Sequence, residues 1–210
     1  MPPETFFDSR WERFTRAVGQ IQQSRAEMQI VYSLLEAIPP LSRQKDVFVE
    51  IGSYSGGALY TYAGALACGA TVISIDDGWN GPPVTDCLKQ TIEGLRHEGF
   101  VGWRIGQNSH QEDTLACLRK LLGGRPVDFL HIDGDHSEAG ALKDWEMYSP
   151  LVRAGGIVAM HDINTPRFAG AGAAWRKLKA GFGSNYVEIN GPPEEPYYHA
   201  GIGIVWMGGS

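Results

Sequence analysis

Two patterns of apolar positions divide the chain near residue 46. Before it, Phe7, Trp11, Phe14, Val18 and Ile21 recur at helical spacing, and Ile30, Val31, Leu34, Leu35 and Ile38 do so again until Pro39-Pro40 stops them. Ser9 and Glu12 stand three apart, as a capping box at the start of the first helix requires. Residues 1–45 therefore read as an α-helical appendage that either covers the rest or forms a contact between two copies. Beyond it, short apolar runs at 47–49, 71–75, 101–105, 127–132, 156–160, 186–189 and 202–206 alternate with helical stretches near 57–68, 85–97, 110–122, 138–149 and 171–180. The runs are continuous rather than alternating, so both faces of the sheet are buried, which calls for parallel strands joined by crossover helices. The expectation is one doubly wound α/β domain over 46–210, with a Rossmann-like, seven-stranded, mostly parallel sheet. Ser109 and Glu112 suit a further helix start, and Gly69 and Gly123-Gly124 suit helix ends.

Composition narrows the function classes. At 210 residues there is room for one such domain and little more. Acidic side chains outnumber basic ones by 24 to 18, a net charge of −6, which argues against docking on nucleic acid because phosphates demand a surplus of Lys and Arg. No apolar stretch approaches the roughly 18 to 20 residues that span a bilayer. The first ten residues carry acids and prolines where a secretory signal has a basic patch and an apolar core, so a cytoplasmic location is expected. Cys68, Cys87 and Cys117 form no Cys-x-x-Cys pair and are expected as small buried residues in helices. Glycine is over-represented, with 27 residues that gather at turns between apolar runs.

The run from Val47 to Gly57, VFVEIGSYSGG, is a strand entering a glycine-rich turn that opens a helix. Such a turn brings backbone N–H groups close to a ligand. It lacks the Gly-Lys-Ser/Thr of a phosphate loop, and Tyr54 stands where a dinucleotide fingerprint needs its second glycine. Glu50, two residues before Gly52, would repel a pyrophosphate but suits an ammonium or sulfonium ligand. This pattern resembles motif I of the class I S-adenosylmethionine-dependent methyltransferases. The resemblance implies that Gly52, Ser53, Ser55, Gly56 and Gly57 wrap the methionine part of the cofactor. It further implies that Asp76, in the Asp76-Asp77 pair ending the second strand, accepts from the ribose hydroxyls, and that the turn Gly106-Gln107-Asn108-Ser109 borders adenine. Trp79, just past that pair, suits an adenine neighbour or a lid.

A second constellation follows. The fourth strand ends in Asp133-Gly134-Asp135-His136 and the fifth in His161-Asp162. If these strands are neighbours, about 4.8 Å apart, their terminal carboxylates emerge side by side and need a cation or a proton between them. The run from Phe129 to Asp162 is similar to the metal-dependent small-molecule O-methyltransferases of the catechol and macrolide-sugar types, with a base three residues after the first aspartate and further ligands 28 and 29 residues after it. That similarity implies His136 as base, Asp133 and Asp162 as metal ligands, and Mg²⁺ as the leading occupant. His161 departs from the pattern, since a carboxylate is usual there. It either coordinates a softer first-row metal or stands back, and a third reading dispenses with metal and leaves His136 to act alone.

His131 lies inside the fourth strand and reads as a packed or hydrogen-bonded histidine, while His97 and His110 read as exposed. Trp11, Trp145, Trp175 and Trp206 fit packing surfaces, and Tyr197, Tyr198 and His199 suit a wall of the substrate pocket. The resemblance, over about residues 46–206, implies methyl transfer to a hydroxyl of a small molecule, a sugar or natural-product intermediate. The rivals are a cofactor-binding but non-catalytic pathway partner and a metal-dependent hydrolase or hydroxylase-like enzyme on the same residues.

Overall fold

The computed structural model of the protein describes residues 5–18, 21–37, 46–195 and 200–208. Its elements are α1 (Phe6–Ala17), α2 (Arg25–Ala37), β1 (Val47–Ile51), α3 (Gly57–Ala63), β2 (Thr71–Ile75), α4 (Pro82–His97), β3 (Val101–Ile105), α5 (Glu112–Leu122), β4 (Val127–Ile132), α6 (Glu138–Tyr148), β5 (Val152–His161), α7 (Ala169–Lys179), β6 (Tyr186–Ile189) and β7 (Ile202–Trp206). The seven strands form one sheet in the order β3-β2-β1-β4-β5-β7-β6, parallel except at β7, which runs antiparallel to both β5 and β6. The strand order reverses between β1 and β4, and a sheet of this kind opens a crevice at the carboxyl ends of its strands at that point.

Every residue of β1, β2 and β4 is buried, as continuous apolar strands between two helical layers must be. On one face Phe48, Phe129 and Leu59 pack with Met28, Val31 and Leu35, and on the other Leu130, Ile132 and Val158 pack with Leu118, Tyr148 and Trp175. Gly203 is required here, because a Cβ would overlap the ring of Trp175.

The N-terminal helices join this core. Phe7, Phe14 and Ile21 are buried, and Arg10 fastens α1 to α3 through hydrogen bonds to the Tyr60 carbonyl (2.9 and 2.6 Å) and an ion pair with Glu98 (2.6 Å). On α2 the buried face runs through Met28, Val31, Tyr32 and Leu35, while Ile30, expected inside, is exposed.

Several local expectations are corrected. The capping box of α1 uses Thr5 and Asp8 rather than Ser9 and Glu12, so the helix begins earlier. The α5 cap is Gln111, without a side-chain hydrogen bond, and not Ser109. Helix α3 stops at Gly64, so Gly69 closes a later turn, whereas Gly123 does end α5 in the left-handed conformation. Strand β5 begins at Val152, four residues before the expected start, and carries Gly155 (φ +73°) through an irregularity in its pairing with β4. Cys68 and Cys117 are exposed and Cys87 half-buried, and Cys68 lies in a turn, so none is a core residue. The expected stop at Pro39-Pro40 and the expected pocket wall at Tyr197, Tyr198 and His199 lie outside the described residues.

Candidate active site

The carboxyl ends of β1, β2, β4 and β5 surround a cleft of about 1010 Å³. Leaving β1, the chain turns through Gly52 (φ +81°) and Tyr54 (φ +51°) to Gly56, the left-handed cap of α3. A Cβ on Gly52 would overlap the Asp133 carbonyl oxygen, so the turn lies directly on the end of β4. Tyr54 holds a backbone conformation that disfavours bulky residues. Its N–H donates to Asp76 Oδ2 (2.9 Å), and Asp76 Oδ1 accepts from the Gly78 N–H (2.8 Å). Asp76 therefore ties together the turns after β1 and β2. Beneath them Glu50 is 1% exposed; its Oε1 lies 2.9 Å from His131 Nδ1, and its Oε2 has no partner. Burial pushes the Glu50 carboxyl up, against the pull of His131. Of the residues expected around a cofactor, Gly56, the helix cap, and Gly106 stand back, and the others, from Glu50 to Asp133, line the cleft. Trp79 is 90% exposed at its rim.

Strands β4 and β5 are paired in register, Ile132 beside Met160, which brings the second constellation together. His136 Nε2 lies 3.4 Å from Asp133 Oδ1 and 2.9 Å from Asp162 Oδ2. His161 Nδ1 lies 3.1 Å from Asp133 Oδ1 and 3.4 Å from Asp162 Oδ2. Asp162 sits in the left-handed region at φ +61°, a strained position for a non-glycine residue. Burial works against ionisation of both carboxylates, but the two imidazoles outweigh it and hold Asp133 and Asp162 below the usual carboxylate range. Burial also works against a charge on His136, yet its hydrogen bonds to Asp133 and Asp162 raise its pKa to about 9. The two carboxylates thus favour the charged ring of His136, the residue that the resemblance implies as base. Asp133, His136 and Asp162 each offer one ligand atom within 4.8 Å of the others, and His161 is not part of that set. The cap of α6 is Ser137, whose Oγ accepts from the Gly140 N–H (3.0 Å), so Asp133 is not tied up in capping the helix.

Other residues reach this site without any motif to announce them. Gln23, buried ahead of α2, donates to Asp133 Oδ2 (3.1 Å) and accepts from the Tyr62 hydroxyl (3.3 Å). Glu27, fully buried, accepts from the N–H groups of Gly191 (2.7 Å) and Gly201 (3.2 Å), and its Oε2 is unpartnered. Burial pushes the Glu27 carboxyl up to about 7. Thr165, Arg167 and Phe168, in the turn after β5, also line the cleft, and the Phe168 ring stacks on His136 with centroids 4.1 Å apart. The signal for Glu27 was legible in principle as a charge beside the apolar stripe of α2. His131 is buried and hydrogen-bonded, as expected.

The description "Methyltransferase domain" fits residues 49–163 of the chain. An uncharacterised protein of Acanthamoeba polyphaga mimivirus, R132, is 27% identical over 139 residues, a match that covers 66% of this chain and 61% of that protein. This chain therefore spans about three fifths of the length of that relative. Among solved structures, an O-methyltransferase from Bacillus cereus in complex with SAH is similar with a TM-score of 0.63 at 16% identity, covering 98% of this chain and 92% of that one. The O-methyltransferase of tomaymycin synthesis from Streptomyces achromogenes, in complex with SAM, is similar with a TM-score of 0.64 at 15% identity, covering 97% and 90%. At these identities the likeness is one of fold.

Proposed function

This chain belongs to the methyltransferase-domain family, and on that footing we propose that it moves a methyl group from S-adenosylmethionine to a hydroxyl of a small molecule, a sugar or natural-product intermediate. The observation that carries the reading is the unpartnered, buried Oε2 of Glu50 in the cleft wall under the glycine turn. A buried carboxylate oxygen without a partner is costly, and an ammonium group satisfies it. S-adenosylmethionine supplies a methyl group on a sulfonium, open to in-line attack by an oxygen nucleophile.

The chain's own residues orient that reaction. Glu50 accepts from the amino group, and Asp76, already rigid through its two backbone donors, has lone pairs left for ribose hydroxyls. Trp79, Asn108 and Ser109 border the adenine end. A cleft of about 1010 Å³ has room for the cofactor and a small acceptor together.

Asp133, His136 and Asp162 fit a divalent ion, because two carboxylates and an imidazole converge within coordinating reach and suit Mg²⁺ or a first-row metal such as Mn²⁺. Such an ion, when bound, lowers the pKa of an acceptor hydroxyl. We assign His136 to this ligand set through Nε2 of its neutral ring, a bound ion taking the place of the proton that the two carboxylates otherwise favour there. His161 orients both carboxylates from behind through Nδ1, and Gln23 fixes the outer oxygen of Asp133.

The test is isothermal titration with S-adenosylhomocysteine, which keeps the ammonium group. Glu50→Gln is expected to weaken binding about tenfold or more; equal affinity in the variant would remove the observation on which the reading rests.

A further inference from the structure

The cleft wall is strongly acidic, yet one cation stands in it. Among the described residues Arg167 is the only Lys or Arg that lines the cleft, and no carboxylate among them pairs with its guanidinium. It lies beside an aromatic ring, the guanidinium carbon 5.1 Å from the Phe168 centroid. The Phe168 ring in turn lies 4.1 Å from the His136 ring, stacked at 19°. Two steps of 5.1 and 4.1 Å put the guanidinium no more than about 9 Å from the imidazole, about the breadth of one six-membered ring with its substituents.

The turn that carries Arg167 is held firmly. Thr165 Oγ1 accepts from the Arg167 N–H, and Pro166 fixes φ at the start of the turn. Ile163 and Asn164 donate from their backbone N–H groups to the carbonyls of Gly201 and Ala200. Gly170, just beyond, lies so close to the His136 carbonyl that a Cβ would overlap it. A guanidinium placed this way, exposed and without an anion of its own, is preorganised for an anionic ligand and is matched geometrically to a carboxylate or phosphate.

We propose that Arg167 selects acceptors bearing an anionic group about one ring away from the hydroxyl that is methylated, so that the substrate class is a small hydroxylated acid. This rests on the O-methyltransferase reading above and deepens it. Ionised at neutral pH, the acid group meets Arg167 while the hydroxyl reaches toward Asp133, His136 and Asp162. Phe168 touches both Arg167 and His136 and keeps them within about 9 Å of each other. Neutral acceptors of the same size lose the guanidinium contact and are discriminated against, because Arg167 is the one Lys or Arg among the described residues of the cleft wall.

The experiment uses two matched probe pairs, 3,4-dihydroxybenzoate with its amide and glucuronate with glucuronamide. Each is titrated at millimolar concentration into the full chain with S-adenosylhomocysteine and Mg²⁺ present. In at least one pair the acid is expected to bind about tenfold more tightly than its amide. Arg167→Gln brings that ratio close to one, and Arg167→Lys keeps part of it. An acid-to-amide ratio near one in the wild type, a ratio unchanged in Arg167→Gln, or no binding by any of the four probes overturns the inference. The S-adenosylhomocysteine titration on the same samples separates the two levels: its failure in the wild type undoes the methyltransferase reading itself, while its success with a failed ratio undoes only the role of Arg167.

Discussion

Replacing Glu27 with Gln isolates the cost of a buried charge. The carboxyl lies fully inside the protein, with Oε1 accepting from the N–H groups of Gly191 and Gly201 and Oε2 unpartnered. Burial raises it from 4.5 to about 7; the two N–H groups and the His161 charge act the other way, and Asp162 adds to the rise. Below pH 4.5 the group is neutral in both folded and unfolded chains and costs nothing extra. Between 4.5 and 7 the unfolded chain ionises while the folded one keeps its proton, so the stability this group contributes is lost as pH rises. Above 7 the penalty is constant. At about 1.4 kcal/mol per pH unit the difference between pH 5 and pH 8 comes to roughly 2 to 3 kcal/mol, and water in the neighbouring cleft trims it toward about 2. Gln keeps the oxygen that accepts both N–H groups and never ionises. Its amide nitrogen is left as unpartnered as Oε2 was, an equal cost at every pH, so the quantity to read is the change in the mutant-minus-wild-type difference. Urea unfolding of both proteins at pH 5 and pH 8 should show Glu27→Gln gaining about 2 kcal/mol on the wild type between the two. A difference that stays the same, or that grows in favour of the wild type at pH 8, would refute the account, because it would mean that ionised Glu27 is paired in the folded state.

Further expectations concern the site and its anchoring. Gly52→Ala forces a Cβ onto the Asp133 carbonyl at a left-handed position and should lower S-adenosylhomocysteine affinity by at least about 2 kcal/mol in a calorimetric titration; unchanged affinity would mean the turn does not touch the cofactor. Asp162→Asn and His136→Ala should each weaken Mn²⁺ binding, read by electron paramagnetic resonance, at least about tenfold while leaving S-adenosylhomocysteine affinity within about twofold; unaltered Mn²⁺ binding in both would dismiss the ligand set. Trp79, exposed at the rim, should change its emission on cofactor binding, and Trp79→Phe should abolish that signal. Arg10→Met takes both guanidinium donors from the Tyr60 carbonyl, while Glu98 keeps Arg13 and the Tyr60 hydroxyl, and should destabilise the protein by about 2 kcal/mol in thermal unfolding; a loss near zero would mean that α1 is held by its apolar face alone.

The strands were legible because a sheet buried on both faces writes itself as continuous apolar runs, and β2, β3, β4, β6 and β7 fall on the expected residues. The fifth strand was cut short because Gly155-Gly156 reads as a break, and only its partner β4 shows that the chain passes through as an irregular strand. Helix starts were misplaced at Thr5 and Gln111 because capping depends on local dihedrals that several neighbouring polar residues could serve equally well. The glycine turn was legible in its own residues, while Asp76 and the roles within the Asp133 to Asp162 cluster came from the family resemblance; strand ends and turns carry all of them to one sheet edge. The residues that stayed hidden reach the site across the fold. Gln23 contacts Asp133 from 110 positions away, so no local pattern marks it, and Glu27, a charge beside the apolar stripe of α2, finds its partner Gly191 only 164 positions away. The perturbation of His136 was hidden for the same reason, as it depends on Asp162 arriving from the next strand.

The central claim is that this cleft methylates hydroxyls with the aid of a divalent ion. It is tested most directly by incubating the purified chain with tritiated-methyl S-adenosylmethionine and a panel of hydroxylated sugars, phenols and hydroxy acids, with Mg²⁺ or with a chelator. The account predicts labelled product with Mg²⁺, at least about tenfold less with the chelator, and none from Asp133→Asn. No transfer to any acceptor despite tight cofactor binding would mark a silent cofactor-binding partner, and turnover of a panel compound in the absence of cofactor would mark a hydrolytic or hydroxylating site; either result contradicts it.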